Sequence, residues 1–263
     1  MNIFYRISLS VLTATMLLTA CSSVSNNSAG NKSEAVKLTH AAPIPQTGFR
    51  YSDVENFDIA NEDKLKWRIF YDKPSTGPDA KWFDAVKHGD LATVKYMVSK
   101  GQDLEAKDTG SLNQTALGWA AFIGYEDMAD YLISNGADLY AKDDGDVYNV
   151  MKSAVLGKNT NIVKKVHKLL NDKSPVDLND QTVEDDGETF IMVAASNNRL
   201  ETVEYLLSQG ANPNLIATTQ DETKGSYNHS AYSYACARGY VDMQKLLASK
   251  GAINHRTGKA SCQ

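Results

Sequence analysis

Thr115-Ala-Leu-Gly-Trp-Ala-Ala-Phe-Ile-Gly124 recurs in layout as Thr189-Phe-Ile-Met-Val-Ala-Ala-Ser-Asn-Asn198 and as Ser230-Ala-Tyr-Ser-Tyr-Ala-Cys-Ala-Arg-Gly239. Each stretch is followed by an apolar helical segment that closes in a glycine twelve residues on, at Gly136, Gly210 and Gly251; Gly89 and Gly101 form a fourth pair at the same interval. Self-similarity of this kind is the mark of a solenoid, in which each unit buries its apolar face only against its neighbours. A solenoid offers an extended surface, so binding is a better expectation than catalysis.

Each unit reads as two helices at 3.6 periodicity. In the second, Leu117, Ala120 and Ala121 share one face of a helix over about Thr115–Ile123. Ala129, Leu132 and Ile133 share a face of another over about Glu126–Asn135. Paired alanines let neighbouring helices approach closely. Gly124 breaks between the helices, and Gly136 supplies a left-handed cap. Gly187 sits where a tight turn needs positive φ, with Asn113 and Asn228 in the same slot.

The turn, the Ala-Ala helix, the glycine and the closing Gly136-Ala-Asp138 or Gly210-Ala-Asn212-Pro-Asn214 together resemble the ankyrin repeat. The resemblance covers residues 79–255 as five repeats and implies an all-α solenoid. No repeat keeps the family's Thr-Pro-Leu-His in full. The third is degenerate: it opens at Asn149-Val-Met-Lys-Ser-Ala-Val-Leu-Gly157, its inter-helix turn is expected to be lengthened near Lys158–Asn161, and Lys173-Ser-Pro replaces the closing glycine.

Outside the repeats the composition changes. Arg6 is the one charge in the first twenty residues, and residues 7–20 are apolar or small, as in a secretory signal. The segment is short for a membrane-spanning helix, which needs about 20 apolar residues. Leu18-Thr19-Ala20-Cys21 resembles the bacterial lipobox, which implies cleavage before Cys21 and lipidation there. Plain secretion with a chance cysteine is the competing reading. Ser22 resembles outer-membrane sorting, with the chain anchored by lipid and facing the periplasm. Residues 21–50 read as a lipidated tether, with about 29 flexible residues reaching roughly 30 Å. Residues 51–78 carry Tyr51, Phe57, Ile59, Leu65, Trp67, Ile69, Phe70 and Tyr71 and read as a cap on the array, and residues 256–263 as a tail.

The chain has 263 residues and a net charge of −5, which leaves no electrostatic footprint for nucleic acid. Its histidines, His40, His88, His167, His229 and His255, lack zinc-site spacing, and neither a nucleophile elbow nor a phosphate loop occurs. The acidic run Glu184, Asp185, Asp186, Glu188 lacks calcium-loop spacing and reads as a solvated turn. The chain is thus expected to be no enzyme and to carry neither cofactor nor metal. Cys236 and Cys262 are an even pair in an oxidising compartment, so a disulfide is expected, with two free thiols as the alternative.

In ankyrin arrays the concave face comes from the turn fingers and the first-helix positions just before the inter-helix glycine. Carried over, the resemblance offers Leu112, Gln114, Phe122 and Ile123, then Asp146, Tyr148 and Leu156, then Asp185, Asp186, Glu188 and Ser196, then Tyr227, His229 and Arg238. Trp119 reads either as core or as a partly exposed anchor beside Phe122 and Tyr148. The expected face is therefore an aromatic patch of Trp119, Phe122, Ile123 and Tyr148 beside an acidic one of Asp185, Asp186 and Glu188, with Tyr227 on the long loop 215–227. From Val176 to Phe190 there are six acidic residues and no basic one, so a protein partner with a basic surface is expected. The layout resembles small ankyrin-repeat lipoproteins that act as immunity proteins against type VI secretion effectors, notably phospholipases. The alternative is a periplasmic scaffold for an endogenous envelope enzyme.

Overall fold

The computed structural model describes residues 75–144 and 147–263. The leader, Cys21, the tether, the flank up to residue 74 and Asp146 lie outside the described residues. Ten helices occur among those described, in five successive pairs: α1 (Ala80–Lys87) with α2 (Leu91–Ser99), α3 (Ala116–Ile123) with α4 (Glu126–Ser134), α5 (Val150–Leu156) with α6 (Thr160–Lys173), α7 (Phe190–Ser196) with α8 (Leu200–Ser208), and α9 (Ala231–Ala237) with α10 (Val241–Ser249). The first helices of the pairs stack on one another in chain order. So do the second helices from α4 onward. No strand occurs among the described residues; the only pairing outside helices there is two isolated antiparallel bridges, Asp108 with Gln114 and Asn254 with Lys259. The all-α solenoid expected from the repeats is what the chain forms.

Composition explains the two layers. Every residue of α3, α5 and α7 is buried. The small residues Ala120, Ala121, Ala154, Ala194 and Ala195 sit where one inner helix meets the next. The outer helices are amphipathic: α4 buries Met128, Ala129 and Leu132, with Ile133 only half-buried. Three of the five inner helices are started by side-chain caps: the Thr115 hydroxyl accepts from the Gly118 amide (3.1 Å), Asn149 Oδ1 from the Lys152 amide (3.1 Å), and Ser230 with Ser233 forms a capping box. The twelve-residue interval joins two left-handed positions, one between the helices and one after the second. Gly124 and Gly136 have φ of 104° and 96°, and Asn198 fills the first position of its pair at 57°. Asn113, Gly187 and Asn228 also have positive φ, as their shared turn slot requires.

Hydrogen-bonded rungs tie the repeats beyond the second helices. The Glu105 carboxylate accepts from the Asp138 amide (2.8 Å), Asn179 Oδ1 from the Asn212 amide (2.7 Å), and Asn214 Oδ1 from the Ile253 amide (3.0 Å). Tyr140 stands at the corresponding place between the second and third repeats, and there Lys173 Nζ lies 5.5 Å from its ring centre.

The third repeat departs from the sequence expectation. Its inter-helix connection, residues 157–159, is as short as residues 197–199 and 238–240. The additional residues lengthen the outer helix instead: α6 has 14 residues where α8 has 9. Asn159 caps α6 by accepting from the Asn161 amide (3.0 Å), so the polar run is a helix start rather than a longer turn. Ser174 and Pro175 then end the helix. Gly157 has ordinary negative φ (−74°) but no room. A β-carbon there would lie 2.6 Å from the Phe122 carbonyl oxygen and 2.8 Å from that of Ala121.

These two kinds of glycine should respond differently. Gly157→Ala forces α5 away from α3 and is expected to cost about 2–3 kcal/mol through overpacking. Gly101→Ala meets no atom within 4 Å and pays only for its left-handed φ, about 1 kcal/mol. Chemical unfolding of the two variants beside the parent checks the ranking.

Candidate protein-interaction face

The loops between repeats project as fingers, and buried charge fixes them to the inner helices. Asp108, in the finger of residues 102–115, is buried. Its Oδ2 accepts from Trp119 Nε1 (3.0 Å) and lies 3.3 Å from Lys87 Nζ, which also sits 5.4 Å from the Trp119 ring centre. One carboxylate thereby joins the end of α1 to the middle of α3. Further along, Lys152 of α5 forms an equally buried ion pair with Glu184 of the next finger. Neighbouring fingers are bonded to each other. The Asp144 amide donates to the Leu112 carbonyl (2.7 Å), and the Thr218 and Thr219 amides donate to the Asp186 carbonyl (2.8 and 3.1 Å). Gln181 Nε2 donates to the Ile216 carbonyl (2.7 Å).

Several expected contact residues are framework. Trp119, Phe122, Ile123 and Glu188 are each 1% exposed, and Gln114, Leu156 and Ser196 are buried as well. Trp119 is held by Asp108 and Lys87, and Phe122 packs 6.0 Å from it, ring centre to ring centre. The carbonyl oxygens of Ala121 and Phe122 are pressed against Gly157. These side chains complete the core and cannot be the anchors of an open groove. Tyr148 is half-buried, its ring 5.8 Å from that of Phe190. Leu112, Asp186, Tyr227 and His229 are half-buried too, while Asp185 and Arg238 are exposed.

The acidic patch is smaller than the sequence suggests. Glu184 is neutralised by Lys152, which comes from a different repeat. Asp177 and Asp180 accept from the backbone of Asn179 and Thr182 (2.9 and 2.8 Å). The Thr182 hydroxyl and amide hold the Asp180 carboxyl below its ordinary pKa. Two apolar side chains were missed: Val183 at the tip of its finger and Ile216 on the next are 43% and 38% exposed. Val183 was visible as the one apolar residue within a polar run, a place where packing gives it no role.

At the finger before α9 (Ala231–Ala237), His229 stacks on Tyr234 with ring centres 4.4 Å apart. Its Nδ1 lies 2.9 Å from the Tyr227 carbonyl oxygen and 3.2 Å from Arg256 Nη2. Burial, joined by the positive charges of Arg256, His255 and Arg238, pushes its pKa down to about 4, against the raising effect of its bond to the Tyr227 backbone. Burial also lowers the pKa of His255 and raises that of Tyr234. Cys236 and Cys262 form a disulfide. Among the described residues no three His, Cys, Asp or Glu side chains gather as metal ligands. No helix there is long and apolar enough to cross a membrane.

Residues 82–166 and 150–257 match the family model described as ankyrin repeats (3 copies). The chain belongs to the ankyrin-repeat family. It is similar to the ankyrin repeat and KH domain-containing protein mask-1 of Caenorhabditis elegans, at 27% identity over 179 residues. That match covers 68% of this chain and 6% of the relative, so the chain spans only a small part of that protein's length. The ankyrin repeats point to protein–protein interaction. Described side chains stay accessible on the fingers and on the outer helices, where Tyr96 and Val241 are exposed, but not on α3, α5 and α7.

Two outcomes test the electrostatics. Asp108→Ala leaves Lys87 buried without its carboxylate and is expected to cost about 3–5 kcal/mol. Asp108→Asn combined with Lys87→Met keeps the bond to Trp119 and should lie much closer to the parent in urea unfolding. Separately, the folded pKa of His229 lies below its ordinary 6.5. The unfolded chain therefore binds more protons, and the stability His229 contributes is present above 6.5 and lost as pH falls toward about 4. The melting temperature of the parent should drop more between pH 7 and pH 5 than that of His229→Gln.

Proposed function

We propose that this ankyrin array is the partner-binding part of a bacterial envelope lipoprotein, anchored through Cys21, and that it serves as an immunity protein neutralising a type VI secretion effector of the phospholipase type. The observation that carries the binding part of this reading is the row of hydrogen-bonded fingers standing on inner helices whose side chains are buried. Such a row is a pre-organised surface, and pre-organisation favours affinity by reducing the ordering cost of association. The Cys236–Cys262 disulfide supports an oxidising compartment, as the leader and the Leu18–Cys21 stretch do. The link to immunity rests on the layout of leader, lipobox, tether and short array.

The working surface in this reading is Tyr148, Val183, Asp185, Asp186, Ile216 and Tyr227, where apolar and polar side chains alternate across adjacent fingers. A partner would cover Val183 and Ile216 and meet the remaining carboxylates at the rim. The apolar pair should then govern dissociation and the rim charges association.

The test uses the mature chain and the product of a toxin-like gene adjacent to its own. Stoichiometric inhibition of a lipase-type activity, with survival of cells that carry the anchored chain, is the expected result. Val183→Asp with Ile216→Asp should speed dissociation by about tenfold or more, and Asp185→Lys with Asp186→Lys should slow association at low salt only. Cys21→Ala should abolish acyl incorporation and membrane fractionation. Full inhibition by both double variants would place the contact elsewhere on the array. Failure to inhibit any effector, with binding to a resident envelope enzyme, would establish the scaffold role instead.

A further inference from the structure

The residues after α10 repeat the construction of a finger. Gly251 closes the helix with φ of 78°, and Ala252 behind it is buried, as Ala137 and Ala211 are in earlier repeats. The Ile253 amide takes the rung from Asn214. An antiparallel bridge follows, the Asn254 amide donating to the Lys259 carbonyl (2.8 Å), as the Asp108 amide donates to that of Gln114 (2.9 Å) in the first finger. No helix follows among the described residues. The loop instead returns to α9, where Cys262 is bonded to Cys236.

This terminal finger grips the one before it. Arg256 Nε donates to the Asn228 carbonyl (3.0 Å) and its Nη2 to the Tyr227 carbonyl (3.0 Å). His255 Nε2 bonds Asn228 Oδ1 (2.7 Å), and its Nδ1 lies 3.3 Å from both Ser230 Oγ and Ser233 Oγ, the pair that caps α9. The gripped finger needs the support. It is long, and residues 220–225 are exposed throughout. Its other attachments are to the preceding finger, through the Asp186 carbonyl and Gln181, and to Met192 and Tyr234, against which Leu215 and Ala217 pack.

We propose that residues 251–262 are a disulfide-anchored bracing finger that sets the position of residues 215–230, with Arg256 as the positioning residue. The finger of residues 215–230 is thereby held on both sides, by the preceding finger through Asp186 and Gln181 and by the brace through Arg256 and His255. The Cys236–Cys262 bond anchors the brace, because it returns it to α9, the helix whose cap the gripped finger carries. Arg256 suits the role: its planar fork reaches two carbonyls at once, which a lysine ammonium does not match. The proposal builds on the reading of the finger edge as a binding surface, since Ile216 and Tyr227 belong to the braced finger, but it concerns the free protein.

The test is amide hydrogen exchange on the full chain without any partner. In Arg256→Ala, the amides of Ala217, Tyr227 and His229, which donate within the braced finger, should exchange about tenfold faster. Those of α3, α5 and α7 should be unchanged. Arg256→Lys should fall between, and Cys236→Ala with Cys262→Ala should give the same localised effect as Arg256→Ala or a larger one. If the double cysteine variant does not fold, the Arg256 pair decides. Exchange in 215–230 within twofold of the parent in Arg256→Ala would overturn the brace, as would an increase spread evenly over all five repeats. Because no partner is present, either failure leaves the binding assignment to be judged by its own experiment.

Discussion

Lys87 and Asp108 meet where neither reaches water, and much of the array depends on such meetings. Removing two charges from solvent costs several kcal/mol per ion, which attraction offsets only when geometry is close and further bonds are made. Asp108 meets that condition at one oxygen, its Oδ2 also accepting from Trp119 Nε1, while its buried Oδ1 has no hydrogen-bond partner among the described residues. The finger, α1 and α3 must all be in place for this to happen. A buried pair of this kind is a weak source of net stability, but it penalises any arrangement that separates its members. Lys152 and Glu184 impose the same condition between α5 and the finger before α7. Between the first and second repeats and between the third and fourth, buried charge thereby penalises a shifted register.

The pattern most legible in the sequence was the one with local causes. Two left-handed positions twelve residues apart bound the helix pair in four of the five repeats, and glycine or asparagine suits them whatever the neighbours do. The turn slot of Asn113, Gly187 and Asn228 was legible for the same reason. The third repeat was misread because a polar run such as Lys158–Asn161 looks alike as an extended turn or as a helix cap. What decides is the packing of Ile162, Val163, Val166 and Leu170, which extends α6 across its neighbours.

The candidate site was less legible because its determinants cross repeats. Glu184 and Lys152 are 32 residues apart, so counting charges along one finger reports an acidic patch that the fold has already neutralised. Phe122 and Ile123 occupy positions that the family resemblance places on an open face, yet here they are apolar and covered. A position carried over from a family says where a side chain stands in the repeat, whereas its own chemistry says whether it wants water. Two large apolar residues before the glycine were a signal of core, and the resemblance outweighed it.

Binding then has to be argued from what remains accessible. The finger tips expose isolated apolar groups, Val183 and Ile216, among hydrogen-bonded turns whose backbone is already satisfied. Asp185 and Asp186 are left to steer association, so discrimination between partners falls mainly to shape, and shape is only as specific as the fingers are rigid. Each finger is stiff because its neighbour is. Rigidity therefore travels along the ladder from finger to finger and is most exposed to loss at its ends. The loop after α10, with its disulfide and the Arg256 fork, gives the finger of residues 215–230 a second hold, and that finger carries the exposed stretch 220–225 on which a loss of stiffness would tell most.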